Sequence, residues 1–516
     1  MSRSDKHVSM MKKNNEEEKI IVERAPRRWA EGIFAETELG DRRRTQRLIN
    51  IASNVVASPG ESFVTSCKGN SAEVEGTYRW LENEAISHEA IIAAGCQSSD
   101  KWIEKTEGDI LAASDTSTII CPHSLREKLG PLSHGSKGGS GKRGLLVHST
   151  VFQSVRTGES LGLGDQIYWQ RNDKEQGKKH KRKQREYEQK ESFKWEYSIA
   201  RIVERFSKYL KRIIFVSDRE SDIYELLMYL LGNGLRYVIR ASWNRKIAES
   251  EQGLIEKVST TPVKGEILLN IPQKGGRVQR RARVELRSCT LELLPPSKDE
   301  SLPPLKLNVV SAQELAEDDP MRWLLLTSEP IETLDEILYV LRCYGLRWKV
   351  EEFHKLWKSG GTNVEGLRLQ SPAGLIKAAT VLAYVAVRLS QLRDEAEPEL
   401  RNERTEIIIL TDLTKSGTNG NKRVASKVEL APERRCTSVL TDLEWQVLWL
   451  SVEEGKPLPP KVPGRLWAYR AIGRLAGWND SKRTGRIGLK AFWKGYWLLQ
   501  QRVNAVALAQ QYGFIG

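Results

Sequence analysis

The chain has 516 residues, with 81 Lys or Arg against 67 Asp or Glu, giving a formal net charge of +14 and an isoelectric point of about 9.3. Hydrophobic content of 39% and charged content of 29% suit a soluble globular protein of about two to four domains. The six cysteines (Cys67, Cys96, Cys121, Cys289, Cys343, Cys436) form no CxxC pair and the seven histidines show no ligand spacing, which argues against a zinc site and fits a reducing compartment. No apolar run reaches ~18 residues and the N-terminus is polar, so neither a membrane span nor a signal peptide is expected. The basic balance makes a polyanion the first partner to look for, and 15 tryptophans leave some for stacking on bases.

Residues 1–28 are a charged tail of low hydrophobicity, expected to be disordered. Residues 29–95 read as a helical N-terminal domain, with helices at Trp29–Leu39, Asp41–Ala57 and Ser71–Glu82 broken at Gly40, Pro59 and Gly60. The second helix opens GDRRRTQRL, with Asp41 a candidate N-cap ahead of Arg42, Arg43, Arg44 and Arg47. Cations in a first turn oppose the helix dipole, so Arg43 and Arg47 are candidate phosphate contacts; the plainer alternative is a solvated face.

The pattern then shortens to β-like runs at Asp109–Ser117, Gly144–Val155 and Ser160–Trp169. A charge-dense segment containing KKHKRKQR (Lys178–Arg185) follows, read as a basic loop. An amphipathic helix at Ser192–Leu210, a buried strand at Arg212–Val216, a helix at Asp222–Leu231 and a strand at Tyr237–Ala241 complete the run. Three strands, helix, strand, helix, strand is the order of a mixed α/β sheet of the ribonuclease-H type, in which ligands gather at strand ends. Asp115 lies on the first strand and Asp218 at the exit of the fourth. Residues 243–322 read as a β-rich insertion containing the basic run QKGGRVQRRARVELR, and Trp323–Thr327 as one more strand.

The helix expected over Leu341–Lys358 carries the residues that organise the rest. At about 100° per residue, Tyr344, Arg347, Glu351 and Lys358 share a ~60° stripe. Three acids on separate elements of one sheet, Asp115, Asp218 and Glu351, are the set needed to hold two divalent metals. Oxygen-only ligands suit Mg²⁺ or Mn²⁺ in an in-line phosphoryl displacement. The plainer alternatives are an N-cap for Asp218, since SDRE has the form of a capping box, and a strand-end turn for Asp115. An apolar helix is expected at Ile376–Arg393, which closes a catalytic domain of residues 96–400. Residues 401–516 read as a helical C-terminal domain with a final helix near Leu489–Gln511.

DTS at 115–117, SDRESDIY at 217–224 and the Tyr344, Arg347, Glu351, Lys358 spacing together resemble the bacterial insertion-sequence-four family of DDE transposases. LGDRRRTQRL, EGTYRW (Glu75–Trp80), RWLLLTSEP (Arg322–Pro330) and DSKRTG (Asp480–Gly485) add to the likeness, which runs from about Trp29 to the C-terminus. The resemblance implies cut-and-paste transposition by a homodimer in the bacterial cytoplasm, on terminal inverted repeats and target DNA and away from membranes. Asp115, Asp218 and Glu351 would be the catalytic metal ligands. Tyr344, Arg347 and Lys358 would hold phosphates near the scissile bond, and Trp323 would stack on a flipped base. Arg47 and basic residues of the insertion, Arg240 among them, would contact the inverted repeat. The last helix would supply the dimer contact. Where a member of that family has paired tryptophans after an Arg-Gly, this chain has Leu145-Leu146 after Arg143-Gly144, a departure that leaves base handling from that side, and with it a hairpin intermediate, open. Two other readings remain: a catalytically silent DNA-binding relative, which the intact acid triad argues against, and a nuclease without strand transfer.

Overall fold

The computed structural model describes residues 26–27, 29–121, 123–132, 141–172, 185–248, 250–271, 280–297, 299–316, 320–396, 407–414, 423–424, 435–438, 440–479 and 487–512. The tail before residue 26, all but Arg185 of the basic loop 178–185, the QKGG start of the insertion's basic run and the DSKRTG motif lie outside them.

The N-terminal unit is helical, as its periodicity predicts. Residues 29–34 form a short helix, followed by α1 (Arg42–Ala57), α2 (Phe63–Ser66) and α3 (Ser71–Leu81). Asp41 is the N-cap of α1, its carboxylate accepting the Arg43 amide at 2.8 Å. The next helix, α4 (His88–Glu104), runs through the expected domain boundary at 95. Its buried Ile92, Cys96, Ser99 and Ile103 face β4 (Ser160–Trp169), and Ser99 and Cys96 donate to the Leu163 and Gly164 carbonyls, so α4 belongs with the sheet.

Among the described residues every strand joins one sheet. In chain order they are β1 (Ile110–Ile120), β2 (Gly130–Pro131), β3 (Arg143–Ser154), β4, β5 (Ile213–Ser217), β6 (Arg236–Arg240), β7 (Lys246–Ile247), β8 (Ser250–Gly253), β9 (Val263–Ile271), β10 (Arg280–Leu293), β11 (Leu305–Glu314), β12 (Arg322–Thr327), β13 (Ile408–Asp412) and β14 (Arg423–Val424). β1, β5 and β6 are parallel neighbours, connected through α5 (Lys194–Arg205) and α6 (Tyr224–Gly232); the other pairings are antiparallel. The expected insertion is β-rich, with α7 (Leu254–Thr260) inside it, yet it is no separate layer. β12 pairs with both β6 and β11, so the same sheet continues outward through β10 and β9. Ile408–Asp412 then returns as a strand on β9, within a region expected to be helical.

Alternating residues divide two cores between the faces of the sheet, as a period of two requires. Leu111, Ala113, Ile214 and Val216 contribute to one; Ile110, Ala112, Ile213 and Phe215 contribute to the other. The first face is covered by α8 (Leu334–Leu346), α9 (Trp348–Lys355) and α10 (Pro372–Ala396), and the second by α5, α6 and α7. Thr333 and Glu336 form a capping box at the start of α8, so the helix expected over Leu341–Lys358 begins about two turns earlier. It also changes character, to a π-turn over Leu356–Gly360. Within α10, Pro372–Gln391 is long and apolar enough to cross a membrane, but 83% of that stretch is buried inside the molecule. Its apolarity on all sides follows from that enclosure. The chain ends in α11 (Asp442–Val452), α12 (Arg465–Leu475) and α13 (Leu489–Gln511), which pack on one another and on the π-turn.

Candidate active site

Asp115 on β1 and Asp218, the residue just past β5, occupy matching places along adjacent parallel strands. The β1–β5 register pairs Ala113 with Val216, and each acid lies two residues further on. Strand periodicity turns both towards the face of Leu111, Ala113, Ile214 and Val216, the face covered by α9, which carries Glu351 and packs on β1. Burial, then the negative charge of Asp218, push the Asp115 carboxyl up to about 7. Arg347 and the Thr116 amide, donating at 2.9 Å, pull it back, while Glu351 pushes it further up. The three acids therefore share one electrostatic neighbourhood. Asp218 also caps the turn Arg219–Ser221 by accepting the Glu220 amide at 2.9 Å, so the structural role weighed for it is present as well. Among the described residues no group of three or more His, Cys, Asp or Glu stands close enough to enclose a metal ion. Part of the reason is visible at Glu351, whose Oε1 accepts from Arg347 Nη2 at 2.7 Å.

The remaining stripe residues are only partly together. Arg347 lies over the Tyr344 ring, 5.8 Å from its centroid, and Tyr344 is buried. Lys358 sits within the π-turn and pairs with Glu365 at 3.3 Å; Glu365 in turn accepts the Ile120 amide, at the far end of β1. Trp323 is half-buried on β12 and meets Tyr344 edge to face, with 5.0 Å between ring centroids. Arg240 ends β6 and donates to the Arg322 carbonyl at 2.8 Å, its Nε buried and without a partner. Leu145 and Leu146 are buried in β3 and present no surface to a base.

Two residues near the acids carry no sequence signal of their own. His354 lies one turn beyond Glu351, its Nδ1 4.0 Å from Asp115 Oδ2, and burial, then the Lys358 charge, hold it neutral with a pKa of about 3. His148, on β3, meets the Thr116 hydroxyl at 3.1 Å through Nδ1. Histidine spacing along the chain cannot reveal either, because their partners lie on other strands; the i, i+3 spacing of Glu351 and His354 on one helix was the available hint.

The arginines of α1 divide by exposure. Arg43 is almost fully exposed, its Nε 3.5 Å from Asp41. Arg47 points inward and binds Glu73 of α3 at 2.6 Å, and Arg44 donates to the Leu39 carbonyl. Residues 26–86 match the family model for transposase DNA-binding. The match covers the whole unit from the first helical residues to α3 and ends just before α4. It gives this unit DNA as its partner and supports a transposase. The acids lie outside the matched residues.

Proposed function

We propose that this chain is a DDE transposase of the insertion-sequence-four family, with a ribonuclease-H-like sheet carrying its catalytic acids. The observation that carries the reading is the matched placement of Asp115 on β1 and Asp218 at the exit of the adjacent parallel β5, beneath the helix of Glu351, in a chain whose N-terminal unit matches transposase DNA-binding domains. The donor set fits a hard divalent cation, Mg²⁺ or Mn²⁺: it is all oxygen, and a carboxyl pushed up to about 7 by burial and a neighbouring carboxylate is the crowding a cation relieves. Two such ions would supply Lewis acidity to the attacking and leaving oxygens of an in-line displacement.

The chain's own residues would do the rest. The N-terminal unit binds the terminal inverted repeats. Arg347 exchanges Glu351 for a DNA phosphate, freeing that carboxylate to join the two aspartates. Tyr344 and Lys358 complete the phosphate contacts, and Trp323 receives a flipped base beside Tyr344. A freed 3′-OH of the element attacks the opposite-strand phosphodiester, sealing the end as a hairpin and releasing the flanking DNA with a 3′-OH. Water reopens the hairpin to restore the element's 3′-OH, which attacks a target phosphodiester and releases a target 3′-OH, in a homodimer using α13. Purified full-length protein, Mg²⁺ and a duplex carrying the inverted repeats test this. Wild type should nick at the repeat end, and Asp115→Ala, Asp218→Ala and Glu351→Ala should each lose about 10³-fold or more in rate with gel-shift affinity retained. Binding without cleavage by wild type would make the chain a silent relative. Cleavage by any of the three variants at the wild-type rate would remove that acid from the site.

A further inference from the structure

The loop leaving β6 presents an indole that the reading above does not use. Trp243 is 63% exposed, more than any other tryptophan among the described residues, and Ser242 and Asn244 beside it are exposed too. Exposure of a large aromatic on a loose loop would mean little. This loop is fixed from below and from the side. Asp222, whose carboxylate is fully buried, accepts the Ser242 and Trp243 amides on Oδ2 at 2.6 and 3.0 Å, and Arg245 Nη2 and Nε on Oδ1 at 2.6 and 3.1 Å. Asn244 accepts the Ile255 amide at 2.8 Å and donates to Glu256 at 2.8 Å, and the Leu254 amide donates to the Arg245 carbonyl. A buried carboxylate with four donors is expensive to assemble, and what it secures is the backbone that carries Trp243.

Its position is as specific as its rigidity. Asp222 is the residue that ends the turn Arg219–Ser221, whose cap is Asp218, so one short segment holds a candidate catalytic acid at one end and the anchor of Trp243 at the other. On the other side, β6 runs antiparallel to β12, with Leu325 opposite Arg240 and the Ala241 amide donating to the Leu324 carbonyl. The ladder stops there, since the Trp243 amide goes to Asp222 and the Arg322 carbonyl accepts the Arg240 guanidinium, so Trp323 and the exposed Arg322 lie at the start of β12 beside the loop. Two tryptophans therefore stand at the same edge of the sheet as the acids, one half-buried against Tyr344 and one open to solvent.

We infer that Trp243 is a second stacking platform, taking an unpaired nucleobase of the DNA strand held at Asp115 and Asp218. This rests on the function proposed above. An aromatic face accepts any base, at about 1–3 kcal/mol per base or roughly 5- to 150-fold in affinity, and a side chain already fixed loses less entropy on engaging it. Arg322, exposed at the start of β12 beside the loop, supplies a cation for the adjoining phosphate.

The test compares full-length wild type with Trp243→Ala and Trp243→Phe on two probes: a blunt DNA duplex and the same duplex with a short single-stranded thymidine overhang carrying 5-iodouracil. Wild type should prefer the overhang and photocrosslink to the peptide containing Trp243. Trp243→Ala should lose that preference by roughly 5- to 150-fold, and Trp243→Phe should keep most of it. An unchanged preference in Trp243→Ala, with the crosslink elsewhere, overturns the inference and leaves the proposed function standing. If that unchanged preference comes with a smaller dimer fraction in sedimentation, the indole belongs to a protein contact and the inference is equally overturned. Wild type that binds neither probe overturns the DNA reading itself.

Discussion

Asp115 is where a single side chain ties stability to function. Its carboxyl ionises near 3.8 in an unfolded chain and is pushed up to about 7 in the folded one, chiefly by burial and then by Asp218. Between those values the folded state holds a proton that the unfolded state releases. Its contribution to stability is therefore complete below pH ~4 and is lost as pH rises through ~7. The full difference corresponds to about 4 kcal/mol, an upper bound for a side chain that is partly exposed. Asp115→Asn, which cannot ionise, should melt several degrees above wild type at pH 8 without metal, with the gap closing towards pH 4. Added Mg²⁺ should raise the wild-type melting temperature and leave Asp115→Asn nearly unmoved. A gap independent of pH would show that Asp115 is not the strained group. Trp323 poses the other residue-scale question, since its ring is neither fully core nor free. Trp323→Ala should remove the edge-to-face contact with Tyr344, a loss of about 1–2 kcal/mol. The first nick should persist while attack on the second strand slows by roughly 5- to 150-fold. Thermal melting beside nicking and second-strand yields decides it: a large fall in melting temperature with all steps reduced together would make Trp323 a packing residue.

At the scale of elements, α1 shows that position on a helix matters more than residue type. Arg43 and Arg47 read alike in sequence, but Arg47 closes on Glu73 and lies under Gly76, where an added Cβ would come within 2.8 Å of its guanidinium carbon. Arg47→Ala and Gly76→Ala should both destabilise the α1–α3 pairing, by about 1 kcal/mol, and should leave the salt dependence of DNA binding nearly unchanged. Arg43→Ala, with its charge in solvent, should flatten the plot of log affinity against log salt by about one unit of slope. Equal slope changes for both arginines would return Arg47 to the DNA surface. The same contrast explains what was legible beforehand. Helices with strong periodicity, such as Ser71–Leu81 and Leu489–Gln511, lie where their patterns place them, and so does the strand Ser160–Trp169, whose residues are buried on both faces. Asp115 and Asp218 were legible by their strands, although Asp115 lies in the middle of β1, which runs on to Ile120, and Asp218 just past the end of β5. The ion pair that holds Arg47, and the reach of His354 to Asp115, depend on partners brought together only by the fold. The continuation of the sheet through β12 and the return of Ile408–Asp412 to its edge are long-range pairings that no local pattern encodes.

For the molecule as a whole, domain boundaries drawn from composition divide a core that the packing does not divide. One hydrophobic cluster takes Phe34, Leu48 and Trp80 from the N-terminal unit, Leu111 and Val216 from the sheet, Tyr384 from α10, and Trp493 and Val503 from α13. Tyr384 is the meeting point. Phe34 meets its ring edge to face at 5.6 Å, its hydroxyl donates to the Ile92 carbonyl of α4 at 2.9 Å, and its ring fills the place of a side chain at Gly95. The DNA-binding unit is thus seated on the helix layer that also covers the candidate active site, which gives a route by which end binding could stiffen that layer. Phe34→Ala leaves a cavity at a fully buried position and should cost about 3–5 kcal/mol. Gly95→Ala should cost a comparable amount from the opposite side of the same ring, because its Cβ cannot enter without moving Tyr384. Since Phe34 lies in the unit before α4 and Gly95 in α4, which packs on the sheet, the number of unfolding transitions discriminates between one cooperative core and separate domains. Urea unfolding followed by far-ultraviolet circular dichroism and by tryptophan fluorescence should give coincident curves for wild type, and both variants should shift the whole curve to lower urea. A Phe34→Ala protein that loses only an early, small transition, with the main one unmoved, would show instead that the N-terminal unit folds and melts independently of the sheet.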